Sequence, residues 1–381
     1  MTTTSVPIGA AILRGEQGPL AVVLSGKSLA GSGGAERRFF RLWAYLVERG
    51  IDCLLITNAS LLRSAERAGI FTKHGGKEHV EVVDDSFALS RALAIYRVIR
   101  RRRCRLIHLP LAAKRLIPLY ALLQVTPGIR VTHTVTASYF AHKVPVSLGT
   151  RLLSRWLWSM SDRIDSLYHG FLNLYAEPLG FASKVSVSPC SFTDIEKYSR
   201  TCLKEDLIVF AGALVAEKNP LLLIEALGIL SAAGVRFRAI VAGSGPLAGA
   251  VAARTSDLAL SDRVEIGAFP DMSDIFCRSS IFVSLQQTEN YPSQSLLEAM
   301  AARNAVVATA VGETGLLVRH GETGLLVGSN ASELAEALKE LLGHPRLREK
   351  MAIAAQSLIM REHRLERFAD YMIAFWADAL A

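Results

Sequence analysis

The feature that most constrains this 381-residue chain is a pattern written twice: an apolar strand, a glycine-rich turn and an amphipathic helix, in alternation. In the first half the spacing predicts a strand at Leu20–Leu24, a glycine loop over Gly26–Gly34 and a helix over Glu36–Arg49. A strand at Cys53–Thr57, a helix around Phe87–Arg100, strands at Leu106–Leu109 and Arg130–Thr134, and a helix near Leu148–Met160 follow. The series restarts with a strand at Leu207–Phe210, a turn at Gly212 and a helix over Leu221–Ala232. Strands at Arg238–Ala242, Val264–Ile266, Ile281–Leu285 and Ala305–Thr309 complete it. Strands alternating with helices predict parallel sheets covered on both faces. Two such series predict an α/β protein of two doubly wound, Rossmann-like domains, 1–203 and 204–381, facing across a cleft. The polar stretch Tyr198–Asp206 is the expected hinge. Ligands of such sheets sit beyond the carboxyl ends of the strands, so the cleft is the expected site.

Composition excludes several alternatives. Half the chain is hydrophobic and a fifth is charged, which rules out disordered, collagenous and coiled-coil proteins. The five cysteines (Cys53, Cys104, Cys190, Cys202, Cys277) stand singly with no CxxC pair, so neither a disulfide framework nor a structural zinc is expected, and a reducing compartment fits. No apolar run approaches the length of a membrane span, and Met1–Ala11 lacks the basic start and apolar core of a signal peptide. The expectation is a soluble or peripheral protein.

The net charge of +8 is unevenly spread: residues 1–200 carry 27 Lys and Arg against 14 Asp and Glu, residues 201–381 carry 16 against 21. Residues 101–150 contain no acid, and six arginines crowd Arg97–Arg105. A solvated helix end would explain some of these, since cations favour a helix C-terminus. Contact with an anionic partner, whether phospholipid head groups, nucleic acid or a phosphorylated substrate, would explain the excess. Nucleic acid is disfavoured, because no aromatic-rich strand or helix-turn-helix pattern accompanies the run.

Four turns are candidates for chemistry. Gly31–Glu36, with Gly33 and Gly34 leading into a helix, lets backbone approach a ligand. It lacks the third glycine of a dinucleotide fingerprint, and Gly26-Lys27-Ser28 fails as a Walker A loop because Ala21 takes its first glycine position. Phe210–Pro220 sets Lys218 beside a helix whose expected N-cap is Asn219 and whose first residue is Pro220. A cation against the helix dipole points to an anion between them, or else to a solvated lysine. Gly243-Ser244-Gly245 ends a strand and only weakly matches a dinucleotide fold. Gln287–Met300 carries Glu289, Asn290, Pro292 and a helix start at which free N–H groups could hold a diphosphate and Glu298 could accept sugar hydroxyls. The alternative is a Ser295-x-x-Glu298 capping box that uses the carboxylate structurally.

In order and spacing these turns resemble the family 4 retaining glycosyltransferases of the GT-B fold, most strongly over 208–327. The resemblance rests on Gly212-x-Leu214 with Glu217-Lys218, on Gly243-x-Gly245-Pro246-Leu247 and on Val264-x-x-Gly267. It continues through Pro292–Ala301, Val306–Thr309 and Gly321-x-x-Gly324-Leu325-Leu326-Val327. Gly33-Gly34-Ala35-Glu36 is similar to the family's acceptor-side loop, and His133 to its histidine near the reacting carbon.

The resemblance implies that Glu298 binds the donor's ribose and that Lys218 faces its diphosphate. It further implies that backbone N–H groups of Ser293, Gln294, Ser295 and Leu296 meet the diphosphate, that Phe269 lies beside the base, and that Gly212 and Gly243 line the donor site. Two departures stand out. Ala213 takes the place of the family's arginine, and the family's seven-residue gap between glutamates ends on Asn290, so either Glu289 or Asn290 reaches the sugar. The implied activity is retaining transfer from a nucleotide-diphosphate sugar to a hydroxyl acceptor, a glycan or lipid-linked sugar, in bacterial cell-surface polysaccharide or glycolipid synthesis. It implies no metal, no further cofactor, a cytoplasmic place with peripheral contact to the inner membrane face, and a last helix that packs back on the first domain. A sugar-nucleotide epimerase and a non-catalytic nucleotide-sugar-binding homologue are the alternatives; Ala213 and the displaced Glu289 favour the latter.

Overall fold

The computed structural model describes residues 18–24, 34–67, 76–83, 87–110, 116–135, 148–269 and 271–381. Among them the first sheet has seven parallel strands: β1 Leu20–Val23, β2 Cys53–Thr57, β3 Val80–Val82, β4 Leu106–Leu109, β5 Arg130–Val135, β6 Arg163–Ser166 and β7 Val185–Val187. The second has six: β8 Glu205–Ala211, β9 Arg238–Ala242, β10 Val264–Gly267, β11 Ser279–Ser284, β12 Ala305–Thr309 and β13 Gly324–Val327. Their orders, β3-β2-β1-β4-β5-β6-β7 and β10-β9-β8-β11-β12-β13, share the reversal beside the first strand that defines a doubly wound Rossmann sheet.

Alternation of side chains explains why these strands read as unbroken apolar runs. In β8, Ile208 and Phe210 enter one core with the helices Pro220–Ala232 and Ala331–Gly343, while Leu207 and Val209 enter another with Gln294–Ala301 and Pro345–Glu362. β9 and β12 divide the same way, Val241 and Val307 on one side, Ile240 and Val306 on the other. A strand with helices on both faces has no polar side. Four strands escape a reading based on apolar runs. β3 and β7 are three residues long and only partly buried, β6 carries Asp165 and Ser166 inward, and β13 opens on a glycine.

The chain divides into two compact units, Met1–Cys190 with Glu366–Ala381, and Ser191–Leu365. The division thus falls at 190/191 and not at 203/204. The polar stretch is bound into the second unit: Arg200 donates to Ser273 Oγ at 3.3 Å, and Lys204 Nζ donates to the carbonyls of Phe276, Ser279 and Ala302. Cys202 and Cys277 form a disulfide across the same contact, which corrects the expectation of unpaired cysteines. In the first unit the final helix, Leu365–Leu380, is tied to the sheet by Tyr371, whose hydroxyl donates to Asp165 Oδ1 at 2.7 Å.

The arginine run also differs from its appearance in sequence. Arg101 and Arg102 both donate to Glu81 at 2.8 Å, and Arg102 also to the Glu78 carbonyl, so acids remote in sequence neutralise part of the cluster. No helix among the described residues is long and apolar enough to cross a membrane.

Candidate active site

Beyond the carboxyl ends of β8 to β12, the second unit gathers the turns singled out in the sequence. Two of them interlock through backbone. Gly212 N donates to the Ala242 carbonyl, Leu214 N to the Ser244 carbonyl and Leu247 N to the Leu214 carbonyl, at 2.9 to 3.0 Å. The approach is so close that a Cβ on Gly243 would stand 1.9 Å from the Gly212 oxygen. Glycine is required there by space. Gly243 N in turn donates to the Gly267 carbonyl, and the Phe269 ring lies against Gly267.

The short 3-10 turn Ala216–Lys218 follows, then Asn219 in the left-handed region (φ 48°) and Pro220 opening its helix. Asn219 stands at the N-cap position but its side chain makes no capping bond, because its backbone turns the chain in a way an ordinary N-cap does not. Lys218 is half-buried, and that burial draws its ammonium down to about 8, with Glu217 pulling the other way. Gln287 N donates to the Glu217 carbonyl at 2.9 Å. The lysine turn and the loop after β11 are therefore one hydrogen-bonded piece.

That loop delivers the helix Gln294–Ala301. Its N-cap is Ser293, so Ser295 lies inside the helix and the Ser295–Glu298 pair is not in capping-box register. Ser293 makes no side-chain capping bond; its hydroxyl lies 3.3 Å from that of Ser295. Helix geometry turns the first N–H groups outward, away from intrahelical partners. Leu296 contributes only its backbone here, since its side chain is in the core. Glu298, one turn in and 7% exposed, accepts from Gln294 Nε2 at 3.3 Å.

Two expected roles change. Glu289 is buried, and its carboxylate accepts from Tyr291 N at 2.8 Å and from Glu313 N at 2.6 Å. It binds its own loop to the 3-10 turn Gly312–Leu316, which leaves Asn290, half-buried, at the seven-residue spacing. His133 lies in the core of the first unit, 1% exposed. Its Nε2 meets the Tyr120 hydroxyl, its Nδ1 lies 2.7 Å from Ser161 Oγ, and Tyr120 stacks on the ring. Both ring nitrogens are thus paired inside the core, and neither is left to face a sugar. Gly33 lies outside the described residues; Gly34 opens the helix Gly34–Glu48.

The chain matches the family described as "Glycosyltransferase Family 4" over residues 32–189 and "Glycosyl transferases group 1" over 192–358. It belongs to the family 4 glycosyltransferases. Among curated proteins, the alpha-D-kanosaminyltransferase of Streptomyces kanamyceticus is 31% identical over 179 residues, 45% of each chain, so the match spans less than half of that relative. The fold of this glycosyltransferase is GT-B. HepE of Anabaena, solved in complex with UDP-glucose, superposes at a TM-score of 0.76 with 16% identity over 93% of this chain and 98% of that one. WaaG, a glycosyltransferase involved in lipopolysaccharide biosynthesis, superposes at 0.67 with 16% identity over 94% and 99%.

Sequence reasoning missed the residues that hold the candidate site in shape. Thr193 lies 101 residues from Gln294 in the chain, and Gly312 with Glu313 receives Glu289 from 24 residues away. No local motif marks such partners.

Proposed function

We propose that this protein is a retaining glycosyltransferase that uses a nucleotide-diphosphate sugar, with a UDP-sugar favoured because HepE was solved with UDP-glucose. The glycosidic C1–O bond to the diphosphate breaks, and its electron pair leaves with the phosphate. The acceptor hydroxyl attacks C1 from the face the phosphate vacates and gives its proton to the departing oxygen. Leaving-group charge is the chief obstacle, and Lys218 with the opening N–H groups of Gln294–Ala301 meets it in place of a metal ion. Glu298 takes the ribose hydroxyls, Phe269 flanks the base, and Asn290 faces the transferred sugar. Glu289 is a positioning residue. The acceptor is a hydroxyl of a glycan or lipid-linked sugar in bacterial cell-surface polysaccharide or glycolipid synthesis, made on the cytoplasmic side; the likeness to WaaG supports this class.

The observation that supports the reading is the backbone bond between the Lys218 turn and the loop leading into that helix, Gln287 N to the Glu217 carbonyl. Lys218→Ala is expected to lower kcat about a hundred- to thousandfold with donor present, leaving the circular dichroism spectrum unchanged. Wild-type turnover in a folded variant removes Lys218 from the mechanism. Donor conversion without acceptor would favour an epimerase, and UDP binding without turnover a non-catalytic homologue.

A further inference from the structure

Glu298 lies one turn inside the helix Gln294–Ala301, and Gln294 stands four positions before it on the same helix face. The Gln294 amide reaches two acceptors from one nitrogen: Nε2 donates to Glu298 Oε1 at 3.3 Å and to Thr193 Oγ1 at 3.2 Å. An amide nitrogen carries two hydrogens, so both are spent on these bonds. Thr193 is 3% exposed and Glu298 7%, which shields the bridge from competing water.

Thr193 comes from the opening segment of the second unit, and its backbone is fixed by bonds that do not involve that helix. Its N–H donates to the His363 carbonyl at 3.4 Å, and His363, buried where Pro345–Glu362 ends, donates from Nδ1 to the Ser191 carbonyl at 3.0 Å. Ile195 N donates back to the Thr193 carbonyl at 3.1 Å and opens the turn Ile195–Tyr198, whose Tyr198 is buried in the same core as Leu297. Thr193 is therefore a fixed point, Gln294 the link and Glu298 the group held. Ordering a long, rotamer-rich side chain at the moment of binding costs affinity, and a carboxylate already held loses less. An ionised carboxylate has about four lone-pair sites, so one bond from Gln294 leaves room for a pair of sugar hydroxyls.

We propose that Thr193 and Gln294 are positioning residues for donor recognition: they hold the Glu298 carboxylate in the orientation that selects a ribonucleotide over its 2′-deoxy counterpart. The inference rests on Glu298 taking the ribose hydroxyls, as proposed above.

The test is calorimetric binding of the full chain to UDP, GDP and ADP, each paired with its 2′-deoxy counterpart. The ratio of the two dissociation constants, taken for the nucleotide that binds most tightly, reads ribose recognition alone, because base and diphosphate are the same in both. The wild type is expected to favour the ribonucleotide about tenfold, as one hydrogen bond to a charged acceptor would give. Glu298→Gln should bring the ratio to about threefold, since a neutral acceptor bonds about half as strongly. Thr193→Val and Gln294→Leu should each bring it to about threefold with the circular dichroism unchanged, and Thr193→Ser, which keeps the hydroxyl, should keep the ratio. Because the two act in series, the double variant should fall no lower than Gln294→Leu alone. A full ratio in both Thr193→Val and Gln294→Leu, beside a lowered one in Glu298→Gln, overturns the proposal and leaves the ribose reading standing. A loss in only one of the two, or losses that add in the double variant, overturns it as well. No ribose preference in the wild type, a preference that Glu298→Gln leaves intact, or no binding of any of the three nucleotides defeats the reading of Glu298 itself, and the proposal with it.

Discussion

A histidine at the end of a buried strand either faces a ligand or completes a core, and the partners of its two nitrogens decide which. His133 is enclosed by Tyr120, Ser161 and Trp158, and burial lowers its imidazole to about 3. His108, between Thr132 and Thr134, is held well below the usual range by burial and by its neighbour His133. Unfolded, each would take a proton near pH 6.5. Between that value and the folded one the unfolded chain binds more protons, so stability is complete above pH 6.5 and falls with pH below it. The expected loss in the first unit is about 1.4 kcal/mol per pH unit for each histidine. Urea unfolding between about pH 7 and about pH 5 measures it, and His133→Gln should halve the slope. An unchanged slope would mean that His133 titrates in the fold as it does in the open chain.

At the scale of elements, the site is a set of strand-end turns held by one another. The Gly212 and Gly243 turns share backbone bonds, the Lys218 turn is bound to the loop after β11, and Glu289 fastens that loop to the turn after β12. Gly312 is where this last joint is tightest: its φ is +50°, and a Cβ there would stand 1.6 Å from Glu289 Oε2. Gly312→Ala is expected to destabilise the second unit by about 1–3 kcal/mol, through overpacking and a left-handed alanine, and to lower donor turnover. Adding Glu289→Ala removes the collision but not the backbone strain. A double-mutant cycle with positive rescue of stability confirms the contact, and strict additivity refutes it. The helices, by contrast, were legible locally: Pro220 opens one and apolar spacing outlines another at Gly34–Glu48.

For the molecule as a whole, the disulfide is the feature furthest from the sequence reading. Cys202 and Cys277, 75 residues apart, meet where the first segment of the second unit packs beside the end of the helix Ser273–Arg278. Denatured without reductant, the chain should accept alkylating reagent on three cysteines, Cys53, Cys104 and Cys190, and after reduction on all five. Five modified residues in the unreduced chain would rule the bond out.

The sequence by itself determined the class of fold and the turns that gather beyond the strand ends. A strand buried on both faces must be apolar throughout, and a ligand-bearing strand end needs glycine or a helix start; both are local demands written in consecutive residues. Only the tertiary structure decided the rest: that the first unit ends at Cys190 and takes back the final helix, that Glu289 serves its own loop, and that His133 is enclosed. Those outcomes depend on partners tens to hundreds of residues away, and a side chain's role follows from what folding brings against it.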